Sequence, residues 1–218
     1  IPLLLIDGFG ALINYSDVLM IGMFLQPAAV AYYFAAARTA TLVTFFFTSI
    51  STLSGPRVAE LHAQGRTREL QQLVEGIAPW IAVPATAVTI VLIAGSSLLL
   101  RLFGQGFEAA WLALILLAIG NLVTSITGPA ALLLNMTGHQ DTSAKVYGAA
   151  ALANLALNAV LVPRLGLTGA ALATAISVSV MSSFLVVLAD RKLGIRTSII
   201  SARFRTSRPQ RPDSGASQ

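Results

Sequence analysis

Two opposite charges, Asp17 and Arg38, stand in sequence that otherwise reads as hydrocarbon, within NYSDVLMIGMFLQPAAVAYYFAAARTA at positions 14–40. On the lenient insertion scale an unpaired charge at the centre of a bilayer costs at least ~2.5–3.5 kcal/mol, so each calls for a partner, a wet cavity or a ligand. Asp17 lies ten residues before Pro27 and Arg38 eleven after it. If Pro27 marks a hairpin turn, a rise of 1.5 Å per residue puts both roughly 15 Å below that turn, near the midplane. Two uses fit that placement. One is a buried ion pair that locks two helices together. The other is a pair lining a translocation path, able to bind an anionic or protonatable species.

Further polar residues fall on helical faces around this pair. Asn14 lies one turn before Asp17, and Thr41, Thr44, Thr48 and Thr52 form a stripe at spacings of three or four. Asn121, Thr124, Ser125 and Gly128 precede Pro129, an expected kink. Asn154 and Asn158 are one turn apart, with Tyr147 two turns earlier on that face. The hydroxyls are expected to bond back to their own helix carbonyls. The asparagines are harder to satisfy locally, because an amide in lipid needs outside partners. Gly169, Ala173 and Ser177, four apart, form a small-residue ridge expected to serve helix packing.

Other chemistries lack their residues. There is no cysteine, which excludes disulfides, zinc ribbons and thiol catalysis, and His62 and His139 are isolated. No Ser-His-Asp set, metal-ligand cluster or phosphate-cradling glycine loop occurs, so neither an enzyme nor a bound cofactor is expected. Proton or sodium coupling is the one role left for a small ion.

Elements that position these residues follow from composition. Hydrophobic residues make up 56% of the 218 and charged residues 11%, against roughly 25% charged in a soluble domain. The expected fold is an all-α polytopic membrane protein, a bundle of six transmembrane helices over 2–25, 28–53, 77–100, 109–134, 144–161 and 167–189. Turn chemistry separates them, as in LQPAA, SGPRVAELHAQGRTREL, RLFGQGF, NMTGHQDTS and VPRLGLTG. The formal charge of +5 would suggest nucleic acid in a soluble protein. Here eleven basic residues (Arg57, Arg66, Arg68, Lys145, Arg191, Lys192, Arg196, Arg203, Arg205, Arg208, Arg211) fall on one side, and Arg101 and Arg164 on the other. The positive-inside rule accounts for that split without nucleic acid and places both termini in the cytoplasm. Residues 57–75 carry Val58, Leu61, Leu70, Leu73 and Val74 at helical spacing, which fits an amphipathic helix on the cytoplasmic surface or a solvated connector. Residues 196–218, rich in Ser, Arg and Pro, are expected to be a disordered basic cytoplasmic tail that touches anionic headgroups. The chain starts without Met inside an apolar run that lacks signal-peptide features, so a fragment of a longer protein is expected.

An ordered set of segments resembles a known superfamily. YSDVLMIGMFL and AYYFAAARTATL, then PRVA at 56–59, LLLRLFGQGFEAAWLALILLAIG, GPAALLLNMTGHQ and NLALNAVLVPRLGLTGAALATAIS resemble one lobe of the multidrug/oligosaccharidyl-lipid/polysaccharide exporters. The likeness covers about residues 2–195 and is greatest to the C-terminal half of bacterial O-antigen-type oligosaccharide flippases. It implies one six-helix lobe of a two-lobe, MATE-like transporter in the bacterial inner membrane. The implied task, part of polysaccharide biosynthesis, is moving a lipid-linked glycan to the outer leaflet by alternating access. Arg38 would attract phosphate or acidic sugar, with Asp17 holding it or relaying a proton. Asn14, Thr41, Asn121, Asn154 and Asn158 complete the candidate cavity. The implied partners are the bilayer, the lipid-linked glycan and a second lobe, because one lobe has no opposite wall. The rival readings are a cation-coupled multidrug antiporter lobe, for which more cavity acids are expected, a lipid II flippase, and a truncated membrane component that transports nothing.

Overall fold

The computed structural model describes residues 2–193, all of whose regular elements are helical. The tail expected over 196–218 lies outside them. Helix α1 covers Pro2–Phe24 and α2 covers Pro27–Ala40. The turn between them is Leu25–Gln26, and Pro27 opens α2 at a position where a missing N–H costs nothing. A single 3₁₀ turn, Thr41–Thr44, joins α2 to α3 (Phe45–Ala63). Gly65, at φ 68°, makes the left-handed turn into α4, Thr67–Arg101. A short 3₁₀ segment, Phe107–Ala110, leads into α5 (Trp111–Met136), and α6 runs over Gln140–Leu193.

Five of these helical stretches are long and apolar enough to cross a membrane, against six expected. The difference lies in α6, which takes up both 144–161 and 167–189. Two helices abut there with no loop between them, meeting at a break in backbone geometry at Gly166 (φ 58°, ψ −133°) within the expected loop VPRLGLTG. A straight helix would hold Asn154 and Thr174 about 30 Å apart. Instead Asn154 Nδ2 donates to Thr174 Oγ1 at 3.0 Å, so α6 is folded back on itself into two antiparallel arms, 140–165 and 167–193. The fold needs a glycine twice: Gly166 has a positive φ, and a Cβ on Gly169 would collide with the Leu161 carbonyl.

Helix α6 packs mainly on α5 and α1. One apolar cluster gathers Ile21, Tyr33, Ala36, Leu100, Leu114 and Ala170, and another gathers Ile13, Leu134, Ala151 and Leu185. Between α5 and the second arm of α6 the approach is close: a Cβ on Gly120 would lie 3.0 Å from Ala175 Cα. Outward faces carry Leu4, Leu19, Leu53, Val83, Leu98 and Leu152, all well exposed. Such a surface suits lipid as solvent, and the chain is a multi-pass membrane protein. Residues 57–75 do not form one surface helix. They are the end of α3 and the start of α4 around the Gly65 turn, and their apolar residues Val58, Leu61, Leu70 and Val74 are buried against Leu132 and Leu133.

Candidate functional site

Asp17 is 2% exposed, in the middle of α1, and every one of its acceptor positions that the fold fills is filled by a neutral donor. Tyr33 Oη donates to Oδ2 at 2.5 Å and Thr174 Oγ1 to the same oxygen at 2.6 Å, while Asn158 Nδ2 donates to Oδ1 at 2.6 Å. Asn154 steadies those donors in turn. Asn154 Nδ2 donates to Thr174 Oγ1, and Asn154 Oδ1 accepts from Ser16 Oγ at 2.7 Å and from Asn158 Nδ2 at 3.1 Å. The cluster thus ties α1, α2 and both arms of α6 together around one carboxylate. Asn154 and Asn158 are fully buried, and Asn158 Oδ1 has no hydrogen-bond partner there.

The expected Asp17–Arg38 ion pair does not form. Among the described residues the ion pairs are Arg57–Glu60 and Arg66–Glu69, both on exposed side chains. Arg38 is exposed; its Nη2 donates to Tyr15 Oη at 3.4 Å, and its guanidinium lies 5.1 Å from the centre of the Phe34 ring. Two geometric facts separate the charges. The turn centres on Leu25–Gln26 rather than on Pro27, so Asp17 lies about 12 Å along its helix from the turn and Arg38 about 18 Å. Tyr33, eight residues after Leu25 as Asp17 is eight before it, takes the facing place. Arg38 follows Tyr33 by five residues, which carries it about 140° round α2, away from α1's carboxylate.

The other expected site residues divide. Asn154 and Asn158 join the Asp17 cluster. Asn14, exposed, donates to the Gly10 carbonyl of its own helix at 2.8 Å, and Thr41 to the Arg38 carbonyl at 2.6 Å. Thr44, Thr48 and Thr52 likewise bond back to their own chain. Asn121 has a different task. Its Nδ2 donates to the Ala40 carbonyl at 2.9 Å, and Ser125 Oγ reaches the Val43 carbonyl at 3.3 Å. Both sit at the 3₁₀ turn, where tightening of the helix frees carbonyls that lipid cannot satisfy. Tyr147 packs in the apolar cluster with Phe9 and Val146, outside the polar one. Gly169, Ala173 and Ser177 are buried along the second arm, and Ser177 Oγ has no partner.

Sequence reasoning missed Ser16, Tyr33 and Thr174. A signal for Thr174 existed: it lies ten residues after Arg164 as Asn154 lies ten before it, so the hairpin count applied to Pro27 would have set the two opposite each other.

Chemically, the site joins two unlike halves. The enclosed half has a carboxylate, a free amide oxygen and hydroxyls, a donor set able to hold a proton or a hard monovalent cation. Three or more His, Cys, Asp or Glu that could bind a metal do not come together among the described residues. The open half presents Arg38 with Tyr15, and Thr41 bonded to the Arg38 carbonyl, all exposed.

Comparison with known proteins gives two relatives of modest likeness. Over 175 residues the chain is 27% identical to a probable low-salt glycan biosynthesis flippase, Agl15, of Haloferax volcanii, covering 78% of this chain and 36% of that protein. It is 25% identical over 175 residues to an uncharacterized membrane protein of Methanocaldococcus jannaschii, covering 79% of this chain and 34% of that one. The chain therefore spans about a third of the length of the curated relatives it matches. No family model matches, and no solved structure matches.

Proposed function

We propose that the chain is one lobe of a membrane transporter that moves lipid-linked oligosaccharide precursors across the bacterial inner membrane. In this reading the two arms of α6 count as two crossings, giving six, with both ends of the lobe cytoplasmic. A second lobe, in the same protein or a companion, supplies the opposite wall for alternating access. The observation that carries the reading is Arg38. It lies on an exposed face within a helical stretch long and apolar enough to cross a membrane, beside Tyr15, and among the described residues it makes no ion pair. A guanidinium facing hydrocarbon is costly, so this face belongs against a wet cavity. There its fork of donors suits the phosphate linking lipid to sugar. The Haloferax volcanii relative, named as a probable glycan biosynthesis flippase, supports the same class of cargo. In the enclosed half, Asp17 with Asn158 Oδ1 and the Thr174 hydroxyl holds the coupling proton or sodium ion.

The multidrug antiporter reading is weaker on the same observation, because an organic cation would meet an exposed arginine while the buried acid is bonded to three neutral side chains. The test is delivery of lipid-linked glycan to the outer leaflet by the full-length protein. Arg38→Gln is expected to lower it at least tenfold and Arg38→Lys less. Loss of dye-cation efflux with glycan delivery intact overturns the reading.

A further inference from the structure

We propose that Tyr33 is a positioning residue that couples loading of Asp17 to the state of Arg38. The inference rests on the reading above, in which Asp17 takes the ion and Arg38 the phosphate. Of the donors on Asp17, Asn158 and Thr174 come from α6 and only Tyr33 comes from α2, the helix that carries Arg38. Tyr33 is 1% exposed and is the only other titratable side chain bonded to Asp17 among the described residues. No charged group from α2, α5 or α6 is hydrogen-bonded or ion-paired with Asp17 among the described residues.

The coupling follows from which way each bond points. A free carboxylate accepts from Tyr33, and a charge-assisted bond of this kind is among the stronger ones a side chain makes. A proton or sodium ion on the carboxylate takes up the same lone pairs. The amide oxygen of Asn158 can then turn to the ion, being unpartnered, and the Thr174 hydroxyl can present its own lone pair. Among the described residues, the hydrogen bond that the Tyr33 hydroxyl donates goes to Asp17 Oδ2. Loading therefore releases α2 while leaving α1 and α6 joined. On α2 the opposite side holds Arg38, braced over Phe34 and against Tyr15, one and a half turns further along. Unloaded Asp17 holds α2 and its arginine in place; loaded Asp17 frees them, and neutralising the acid raises affinity for an anion at Arg38. By linkage the phosphate must tighten the ion in equal measure.

The experiment uses the full chain in lipid nanodiscs, with inorganic pyrophosphate and sodium as probes at fixed ionic strength. In the native protein, sodium is expected to tighten pyrophosphate on the order of tenfold, and pyrophosphate to tighten sodium by the same factor. Tyr33→Phe keeps the ring and removes the bond; both ligands should still bind, with the coupling reduced to within twofold. A second readout needs no loss of the hydroxyl: 3-fluorotyrosine at position 33 should shift its ¹⁹F resonance on adding sodium, while the same label at Tyr32 should not. Coupling unchanged in Tyr33→Phe, or a silent label at position 33, overturns the proposal and leaves the ion and phosphate sites standing. Failure of those sites shows otherwise: Asp17→Asn would leave sodium binding, or Arg38→Gln pyrophosphate binding, as in the native protein, and both ideas would fall.

Discussion

Thr174 gives the sharpest test of the buried cluster, because its hydroxyl serves two groups at once. It donates to Asp17 Oδ2 at 2.6 Å and accepts from Asn154 Nδ2 at 3.0 Å. Thr174→Val keeps the shape and deletes both bonds. In water-soluble proteins a bond to a charged group contributes about 1.5–3 kcal/mol and an orphaned buried donor costs about 1–3 kcal/mol. Inside membranes measured pairs average about 0.6 and reach about 1.7 kcal/mol, because the unfolded helices find other partners. Two bonds on that scale bracket roughly 1.2–3.4 kcal/mol, and full burial with one ionic partner favours the upper half, about 2–3 kcal/mol. Thr174→Ser keeps the hydroxyl and loses one buried methyl, about 0.8 kcal/mol. Reversible unfolding in mixed detergent–SDS micelles reads both values. A cycle with Asn154→Ala should return a coupling of about 1 kcal/mol, as neighbours in one network do. If the valine variant is as stable as native, or the serine variant is as damaged as the valine one, the hydroxyl is not what joins the two arms of α6, and the cluster described here is wrong.

Three other outcomes are expected. Gly169→Ala drives a Cβ into the Leu161 carbonyl, which is backbone and cannot swing aside, so the hairpin in α6 should lose about 1–3 kcal/mol in the same unfolding assay. Asn121→Leu strands the Ala40 carbonyl at the 3₁₀ turn and should cost about 1–3 kcal/mol, whereas Asn121→Gln recovers part of it. Exchanging the charges, Asp17→Arg with Arg38→Asp, should not restore glycan delivery lost in either single variant, because the two side chains are not partners; recovery would return the ion pair to consideration.

The membrane class and the all-helical fold were legible in the sequence because hydropathy over twenty residues is set by composition alone. The number of separate helices was not. VPRLGLTG reads as a loop by its proline and glycines, yet Gly166 alone makes the reversal and the helical bonding resumes at once. For the site, Asn154 and Asn158 were legible because an amide cannot be satisfied within its own helix in lipid. Asp17 and Arg38 stand out in the sequence as charges among apolar residues, and a hairpin count sets them at one depth, but their side chains do not meet. The turn lies at Leu25–Gln26 rather than at Pro27, and the five residues from Tyr33 to Arg38 carry the arginine to another side of α2. A tyrosine gives little warning in such a sequence. Its ring reads as apolar core, as Tyr147's does, and only the partner opposite shows that the hydroxyl of Tyr33 matters.

The separation of the two charges constrains what the site can be. A cluster meant only to hold helices could be neutral, since burying a carboxylate is costly and apolar replacements of buried charge are often no less stable. Here an acid stands in full burial, its bonded neighbours supply only neutral donors, and one amide oxygen beside it is unbonded. Across α2, an arginine is retained on an exposed face where no carboxylate meets it among the described residues. Had the two paired, each would have neutralised the other and the pair would offer nothing to an ion or to a phosphate. Kept apart on opposite sides of one helix, each stays available for a ligand of opposite sign, and α2 is the element through which one ligand can be felt by the other.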